Sequence, residues 1–219
     1  MTLSARDRAL EWIQRSIITG DLKAGDFIEE ATVCHAVGVS RTPVREALNQ
    51  ASVQQFVRLI PKRGAQVRTI SAAEVVEIFE TRAVIEKYAA KIICQRKIPV
   101  TQAALKALRD RVEAAGNALH DRGDLSLITD AALADWRIHV SLVEAAGNSV
   151  LTELFNTLQP WQLRVALSVS VYNAQQARLP QIDLEHGELI AAWESHDLET
   201  LLKVIDTHLN PSAEIVECL

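Results

Sequence analysis

The chain has 219 residues, of which 48% are hydrophobic, 5% aromatic and 23% charged, and its formal net charge is −5. No apolar run reaches the roughly 18 residues needed to cross a bilayer, and the first residues contain no signal-peptide core, so a membrane protein is excluded and a cytoplasmic one is expected. The length is sufficient for two domains of ordinary size.

Charge is divided unevenly along the chain. Residues 1–68 carry 10 Lys and Arg against 7 Asp and Glu, a net charge of +3, whereas residues 69–219 carry 13 against 21, a net charge of −8. This division is typical of a small nucleic-acid-binding module joined to a larger domain that stays away from the phosphate backbone. We therefore predict a domain boundary near residue 68.

Three helices are predicted in the first 68 residues. Apolar residues recur at helical spacing over residues 9–18, and a shorter pattern over 30–37 is followed by a glycine, a common helix stop. A third helix begins at Ser40 or Thr42, because Pro43 is tolerated only in the first turn and biases the residue before it away from helical geometry.

Two short β-prone runs follow the third helix. FVRLI and AQVR flank a segment made of Pro61, Lys62, Arg63 and Gly64, so we predict a β-hairpin with a basic tip. Three helices followed by a basic wing constitute a winged helix-turn-helix domain.

The third helix separates its residues into two faces. Arg41 lies at its leading end, where the recognition helix of a helix-turn-helix protein enters the DNA major groove and arginines bind guanine O6 and N7. From these residues alone, a charged helix end that only faces water is the alternative. The apolar face holds Val44, Ala47, Leu48 and Ala51, and the polar face holds Thr42, Arg45 and Asn49.

The segment IITGDLKAGDFIEEATVCHAVGVSRTPVREAL resembles the GntR family of bacterial transcription regulators in its spacing of glycines, in its apolar positions and in the SRTPVREAL helix. The resemblance covers about the first third of the chain and implies that residues 1–68 are a winged helix-turn-helix DNA-binding domain. It places the family's groove contacts on Arg41, Thr42 and Arg45, and its wing-tip contacts on Lys62, Arg63 and Gly64.

The chain departs from this family pattern at three positions. Ala24 stands where the family usually has proline, Ala51 where it usually has leucine, and Gln55 where it usually has glycine. Ala51 and Gln55 concern the packing and the exit of the recognition helix, whereas the arginines match the pattern.

The remainder of the sequence predicts helices and almost no strand. Ser71 and Glu74 form a capping box for a long helix that ends before Pro99. The simplest architecture is therefore a mainly α chain whose carboxy-terminal part, residues 69–219, is an all-α bundle. Further helices are predicted over 101–119, over 127–145, over 148–171 with a kink or restart at Pro160, over about 180–196, and over 198–217 with a bend at Pro211.

Four residues of the helical part form a candidate metal site. Asp135 and His139 are four residues apart, which places both side chains on one face of a helix. His186 and His208 lie on the last two predicted helices, and both imidazoles could reach that face if these helices pack antiparallel. One carboxylate and three imidazoles would bind zinc, nickel or manganese and leave positions open for water or a ligand oxygen. Spacing alone leaves isolated surface histidines as the alternative.

The strings DWRIHVSLVEAAGN and LEHGELIAAWESHDLETLLKVIDTHL resemble the FCD effector domain of the FadR-like GntR subfamily. The resemblance implies that residues 69–219 bind an effector and mediate dimerisation. Ile138 departs from the phenylalanine that the family often has beside its first histidine. In many members an aspartate and three histidines hold a metal, and the matching residues here are Asp135, His139, His186 and His208.

A small carboxylate effector, such as an organic or sugar acid, is also implied by the resemblance. In FCD domains the metal and an arginine of the first long helix commonly receive it, and Arg82 matches that arginine. The alternative for Arg82 is an ordinary salt bridge to Glu86, four residues along the same helix. Asn148, Arg164 and Asn173 are further candidate contacts that the sequence does not rank.

These features predict a regulator of transcription that is not an enzyme. A homodimer would bind a palindromic operator in double-stranded DNA, as a repressor relieved by its effector, without a membrane partner. Two rivals stay open: an architectural DNA-binding dimer without an effector, and a metal-dependent hydrolase or isomerase in which an open metal position activates water. The lack of an HExxH string and of an obvious general base argues against the second rival.

Overall fold

The computed structural model describes residues 3–68, 70–120, 125–170 and 174–210. The chain divides into two compact units, Met1–Ile70 and Ser71–Leu219. Within the described stretches, no helix is both long and apolar enough to cross a membrane. The predicted fold class, mainly α with a small winged helix-turn-helix at the amino terminus and helices thereafter, is confirmed.

The first unit consists of three helices that contact one another and a three-stranded antiparallel sheet. Its elements are α1 (Ala5–Ile18), β1 (Phe27–Ile28), α2 (Glu30–Val37), α3 (Arg41–Val53), β2 (Val57–Ile60) and β3 (Gly64–Val67). The buried residues of the helices form its core: Ala9, Ile13, Val33, Val44, Ala47, Leu48 and Ala51.

A tight turn separates α2 from α3. Gly38 ends α2 with a φ of 69°, in the left-handed region that glycine adopts without steric cost. Ser40 is the N-cap of α3, so Pro43 is the third helical residue and removes no intrahelical hydrogen bond. The predicted apolar face of α3 is confirmed, because all four of its residues are buried.

The wing is the predicted hairpin of β2 and β3. In its turn the Arg63 N–H donates to the Ile60 carbonyl over 3.0 Å, with Pro61 and Lys62 between them. The φ of 63° at Lys62 fits the third residue of a type II turn, which requires a positive φ. A third strand, β1, pairs with β3 on its other side. The sequence did not indicate β1, because two residues are too few to show a periodic pattern.

Gly64 begins β3 where this strand runs beside β1. Its φ is +91°, and a Cβ added at this position would overlap the backbone carbonyl oxygen of Ile28. The sequence assigns Gly64 to the DNA-contacting wing tip, and that role stays a prediction. The structure supplies a separate reason for glycine here, which is the close approach of two backbones.

We expect Gly64→Ala to destabilise the chain, since the added methyl group forces β1 and β3 apart and alanine is strained at this φ. The backbone strain alone costs about 1–3 kcal/mol. Gly25→Ala is the matched control, because Gly25 has a φ of +85° but no atom within 4 Å of an added Cβ. The difference between the unfolding midpoints of the two variants reports the cost of the overlap with the Ile28 carbonyl. Equal midpoints would contradict the steric argument.

A left-handed residue that is not glycine follows α3. Gln55, where the family pattern has glycine, adopts a φ of 62°. A non-glycine residue in this region costs roughly 1–2 kcal/mol. The Gln55 side-chain oxygen accepts a hydrogen bond from the Arg68 guanidinium, which a glycine could not do. This contact offsets part of the cost of the departure from the pattern.

The described residues of the second unit form helices joined by short connections, without a strand. The predicted capping box at the start of its first helix is confirmed, since Ser71 and Glu74 each accept a backbone N–H of the other with their side chains. Its elements are α4 (Ala72–Arg96), α5 (Gln102–His120), α6 (Leu125–Ala145), α7 (Ser149–Asn156), α8 (Gln159–Ser170), α9 (Ala174–Ser195) and α10 (Leu198–His208).

Proline positions explain where the helix boundaries agree with prediction and where they differ. Pro160 lies in the first turn of α8, so the predicted restart is confirmed. The prediction for α9 was wrong, because the helix begins at Ala174 and Pro180 lies inside it. α10 ends at His208, short of residue 217, consistent with Pro211 disfavouring helical geometry just before it. Residues 211–219 and the predicted loop 121–124 lie outside the described part.

The three helices that carry the predicted metal ligands all pack against α4. α6, which carries Asp135 and His139, contacts α4, and so do α9 with His186 and α10 with His208. α9 and α10 also pack against each other. Residues that are distant in sequence can therefore meet next to α4.

Candidate nucleic-acid interface and metal centre

The polar face of α3 lies at the surface of the first unit. Arg41, Thr42 and Arg45 are all exposed, and 63% of the Arg45 side chain is accessible. The opposite face of α3 packs against α1 and α2. The structure thus leaves the leading end of this helix open to an external ligand.

Arg45 is oriented by a carboxylate of α2. Its Nε donates to the Glu30 Oε1 over 2.7 Å. This contact uses only the inner nitrogen of the guanidinium, so the two terminal nitrogens remain available for another ligand. In DNA recognition these two nitrogens form the fork that binds guanine O6 and N7 in the major groove. The sequence did not indicate Glu30, because the contact spans fifteen residues.

The wing tip presents cations beside an aromatic ring. Lys62 and Arg63 are exposed, and the Arg63 guanidinium lies 5.3 Å from the centre of the Phe27 ring, a cation–π contact. Phe27 belongs to β1, so the third strand holds the wing arginine near the sheet. An exposed cationic tip of this kind suits contact with phosphate groups.

In the second unit, the four residues of the predicted metal set come together. One ligand atom from each of Asp135, His139, His186 and His208 can be chosen so that all lie within 4.8 Å of one another. His139 and His186 are fully buried, and only 13% of the Asp135 side chain and 8% of the His208 side chain are exposed. The alternative of isolated surface histidines does not describe these residues.

The spacing of the imidazole nitrogens matches a shared metal ion. His139 Nε2 lies 3.2 Å from His186 Nε2 and 3.1 Å from His208 Nε2. Two nitrogens bound to one metal at about 2.0–2.1 Å in tetrahedral geometry are about 3.3 Å apart. Asp135 Oδ1 lies 3.4 Å from His186 Nε2, so the carboxylate joins the same group. The donor set fits a divalent transition metal.

Two buried carboxylates contact the far nitrogens of these rings. Glu86 Oε2 lies 2.7 Å from His139 Nδ1, and Glu185 Oε2 lies 2.9 Å from His208 Nδ1. A carboxylate accepts a hydrogen bond, so each Nδ1 carries a proton and Nε2 is the nitrogen that each ring directs toward the cluster. The Nε2 atoms of His139 and His208 are 3.1 Å apart, and a metal cation between them would bind both. This arrangement suits a metal-binding site.

The protonation states of the cluster are also those of metal ligands. Burial lowers the pKa of His139 and holds the pKa of His186 well below its usual value, which favours neutral imidazoles. Burial disfavours the Asp135 carboxylate, but the positive charges of His186 and His139, when these rings are protonated, and of Arg111 outweigh burial and hold the pKa of Asp135 well below its usual range. A bound metal cation would take the place of those protons. Metal ions bind neutral imidazole and ionised carboxylate.

Arg111 is a buried arginine of α5 that sequence analysis missed. Its Nε lies 3.5 Å from Asp135 Oδ1, and its Nη1 lies 3.2 Å from Asp183 Oδ1. Only 3% of its side chain is exposed. The arginine therefore keeps Asp135 ionised and orients it from outside the histidine group.

Arg82 is buried in the same unit. Its Nε donates to Glu86 Oε1 over 3.1 Å, so the salt bridge considered as an alternative exists. This salt bridge uses only Nε of Arg82. The two terminal nitrogens, Nη1 and Nη2, are buried, and neither has a hydrogen-bond partner among the described residues. The guanidinium lies 5.8 Å from the centre of the Phe79 ring and 5.3 Å from that of Trp136. Two buried donors without an acceptor are suited to an anionic ligand.

The remaining candidate contacts have other surroundings. Asn148 is exposed and caps α7, its side chain accepting the Leu151 N–H over 3.1 Å, so its contact with an effector stays a prediction. Arg164 is buried in α8, and Asn173 lies outside the described residues. Of the histidines not assigned to the site, His35 is exposed and His196 Nε2 lies 3.1 Å from the Ile98 carbonyl.

Comparison with protein families agrees with both units. The model of the bacterial regulatory proteins of the gntR family matches residues 5–67, and the FCD domain model matches residues 77–211. The chain belongs to the GntR family of regulators with an FCD domain.

Individual relatives of this GntR-family chain are also regulators. An HTH-type transcriptional regulator of Agrobacterium vitis, in the TAR-I ttuE-ttuC' intergenic region, is 34% identical over 62% of this chain and 77% of its own length. The HTH-type transcriptional repressor GlaR of Escherichia coli is 22% identical over 99% of this chain and 97% of its own. The solved structure of E. coli McbR/YncC has a TM-score of 0.59, with 19% identity over 95% of this chain and 94% of that one.

Membership of this family identifies the chain as a transcription regulator and not an enzyme. The metal-dependent hydrolase or isomerase considered from the sequence is therefore excluded. The aspartate and histidines have to be interpreted within a regulatory domain.

Proposed function

We propose that this regulator is a homodimeric, ligand-responsive repressor. In this proposal the recognition helices bind a palindromic operator, and the FCD unit holds a divalent metal that helps receive a small carboxylate effector. The convergence of three imidazole nitrogens on one carboxylate, at spacings that match one metal ion, carries the proposal. It requires that the effector bind the DNA-free and DNA-bound states with different affinity.

The DNA-binding part of the proposal rests on the first unit. Arg41, Thr42 and Arg45 are at the exposed end of α3, and Lys62, Arg63 and Gly64 form the wing tip. The family match over residues 5–67 supports double-stranded DNA as the ligand of this surface. Because chromosomal DNA is the partner, the site of action is the cytoplasm of a bacterial cell.

The homodimer is supported by exposed apolar side chains on two helices that contact each other, α4 and α7. On each helix the two side chains are four residues apart and lie on one face, and exposed apolar faces of this kind are typical of protein interfaces. A second copy of the chain is the partner that a palindromic operator requires. The side chains are Val84 (71% exposed), Tyr88 (46%), Val150 (73%) and Leu154 (57%).

The effector site of the proposal combines the metal with Arg82. A metal bound by the four cluster residues would keep coordination positions for an oxygen ligand. Arg82 offers two buried nitrogens without acceptors, and the nearby aromatic rings would pack against an apolar part of the same molecule. A small carboxylate satisfies both requirements. The repressor assignment is supported by the relative GlaR, which is named a transcriptional repressor.

Thermal unfolding with a panel of carboxylates tests the effector. The full chain, loaded with zinc, is heated with monocarboxylates, dicarboxylates, tricarboxylates and sugar acids in turn. We expect at least one class to raise the unfolding temperature, and we expect Arg82→Lys to reduce that rise, because lysine keeps the charge beside Glu86 but lacks the fork.

The outcomes of the panel are distinct. A ligand present at 100 times its dissociation constant stabilises by about 2.7 kcal/mol, a shift of roughly 5–10 °C for a chain of this size. A rise that is equal in wild type and Arg82→Lys places the carboxylate elsewhere. If no carboxylate gives a rise, the architectural dimer without an effector replaces the proposal.

A further inference from the structure

Two histidines of the cluster share one feature that the third lacks. His139 and His208 each contact a buried carboxylate through Nδ1, whereas His186 Nδ1 is buried without a hydrogen-bond partner among the described residues. The carboxylates, Glu86 and Glu185, come from α4 and α9. Neither of them belongs to the group of residues that could itself hold the metal.

We propose that Glu86 and Glu185 are positioning residues for the metal site. Each holds one imidazole in the tautomer that presents Nε2 to the metal, and each adds negative charge that makes the ring a stronger ligand. The inference rests on the proposed metal site and extends it to residues that do not touch the ion.

The second oxygen of each carboxylate is also held. Glu86 Oε1 accepts the Arg82 Nε over 3.1 Å, and Glu185 Oε1 accepts the Gln181 Nε2 over 3.4 Å. A carboxylate fixed at both oxygens cannot rotate away from its imidazole. The side chains of Glu86 and Glu185 are 0% and 5% exposed, so water does not compete strongly for these hydrogen bonds.

Arg82 contacts Glu86, and Glu86 contacts His139. These two contacts connect the two parts of the proposed effector site, which are the Arg82 guanidinium and the metal. An anion bound at the Arg82 terminal nitrogens would weaken the attraction of Arg82 for Glu86 and leave more of the Glu86 charge to His139. Metal and carboxylate are then expected to bind cooperatively, and each would raise the affinity of the other by the same factor.

The experiment uses the full chain with the metal alone. Zinc affinity is measured by competition with a chromophoric chelator, and the visible absorption of bound Co²⁺ reports ligand geometry. We expect Glu185→Gln to weaken zinc binding about 10- to 100-fold, the range typical for partners of metal-bound histidines, and to alter the Co²⁺ spectrum. Glu188→Gln is the matched control, because Glu188 is an exposed glutamate of the same helix, two residues from His186.

The same two measurements on Glu86→Gln test the positioning of His139. This variant also leaves buried Arg82 without its counter-charge and can lose stability for that reason. Unfolding of the metal-free variants is therefore recorded beside the affinity. If Glu86→Gln does not fold, the result for Glu185→Gln decides.

Two failures are distinguishable. If wild-type protein binds neither zinc nor Co²⁺, the metal site itself is wrong. If wild type binds zinc and Glu185→Gln binds it as tightly as Glu188→Gln does, with the same Co²⁺ spectrum, the metal site stands and the positioning role is overturned. Weaker binding by Glu185→Gln, with unchanged unfolding of the metal-free chain, supports the positioning role.

Discussion

Arg45→Ala is expected to abolish most sequence-specific binding to the operator. A bidentate arginine contact with guanine contributes about 1–3 kcal/mol of discrimination, and the proposed dimer on a palindrome would lose two such contacts. Arg45 is 63% exposed and is held by Glu30 through Nε alone, so its removal leaves the fold of α3 intact. The loss should appear in binding and not in the unfolding temperature.

A mobility-shift titration with the native upstream region at moderate salt measures this loss. A scrambled duplex in the same titration separates specific binding from phosphate attraction, which depends on salt and not on sequence. Lys106→Ala is the control, because Lys106 is also exposed and ion-paired, with Asp110 in the second unit. If Arg45→Ala discriminates between the two duplexes as well as wild type does, the groove assignment is wrong.

The recognition helix was predictable because every signal for it is local. Gly38, Pro43 and the spacing of the apolar residues lie within fifteen residues, and they define the end of α2, the start of α3 and the packed face of α3. The same holds for the capping box at Ser71 and Glu74. Short-range hydrogen bonds and side-chain periodicity determine such features, and both can be read without knowing the rest of the fold.

Features that depend on distant partners were not predictable in this way. β1 exists because β3 offers it a free edge, and the hydrogen bonds of Phe27 and Ile28 go to residues almost forty positions later. Gly64 shows a related effect, since its need for glycine comes from the approach of the Ile28 carbonyl as well as from its own positive φ. Propensity over two residues carries no such information.

The cluster of potential metal ligands was predicted in part for the same reason. The spacing of Asp135 and His139 is a local signal, whereas the approach of His186 and His208 required the family resemblance. Glu86 was considered only as the partner of Arg82. One signal could have found its second role: position 86 lies on the buried face of α4, together with Ile85 and Ala89, where an unpaired carboxylate would be costly.

The second prediction concerns the proposed metal site. His186→Ala should lose the metal that wild-type protein is expected to retain when purified without chelator, because His186 Nε2 lies within 3.4 Å of both His139 Nε2 and Asp135 Oδ1. Elemental analysis measures the metal content directly. His35→Ala is the control, since His35 is an exposed histidine of the first unit and should leave the metal content unchanged.

Stability supplies an independent readout of the same change. Free zinc at 100 times its dissociation constant should stabilise wild type by about 2.7 kcal/mol, and this increment should vanish in His186→Ala. Alanine also removes a buried nitrogen, His186 Nδ1, that has no hydrogen-bond partner among the described residues, so the metal-free variant need not be less stable than wild type. The test is therefore the stabilisation that zinc adds to each protein, and not the unfolding temperature of the metal-free protein. Equal increments in wild type and His186→Ala would remove His186 from the site and with it the converging geometry on which the metal proposal depends.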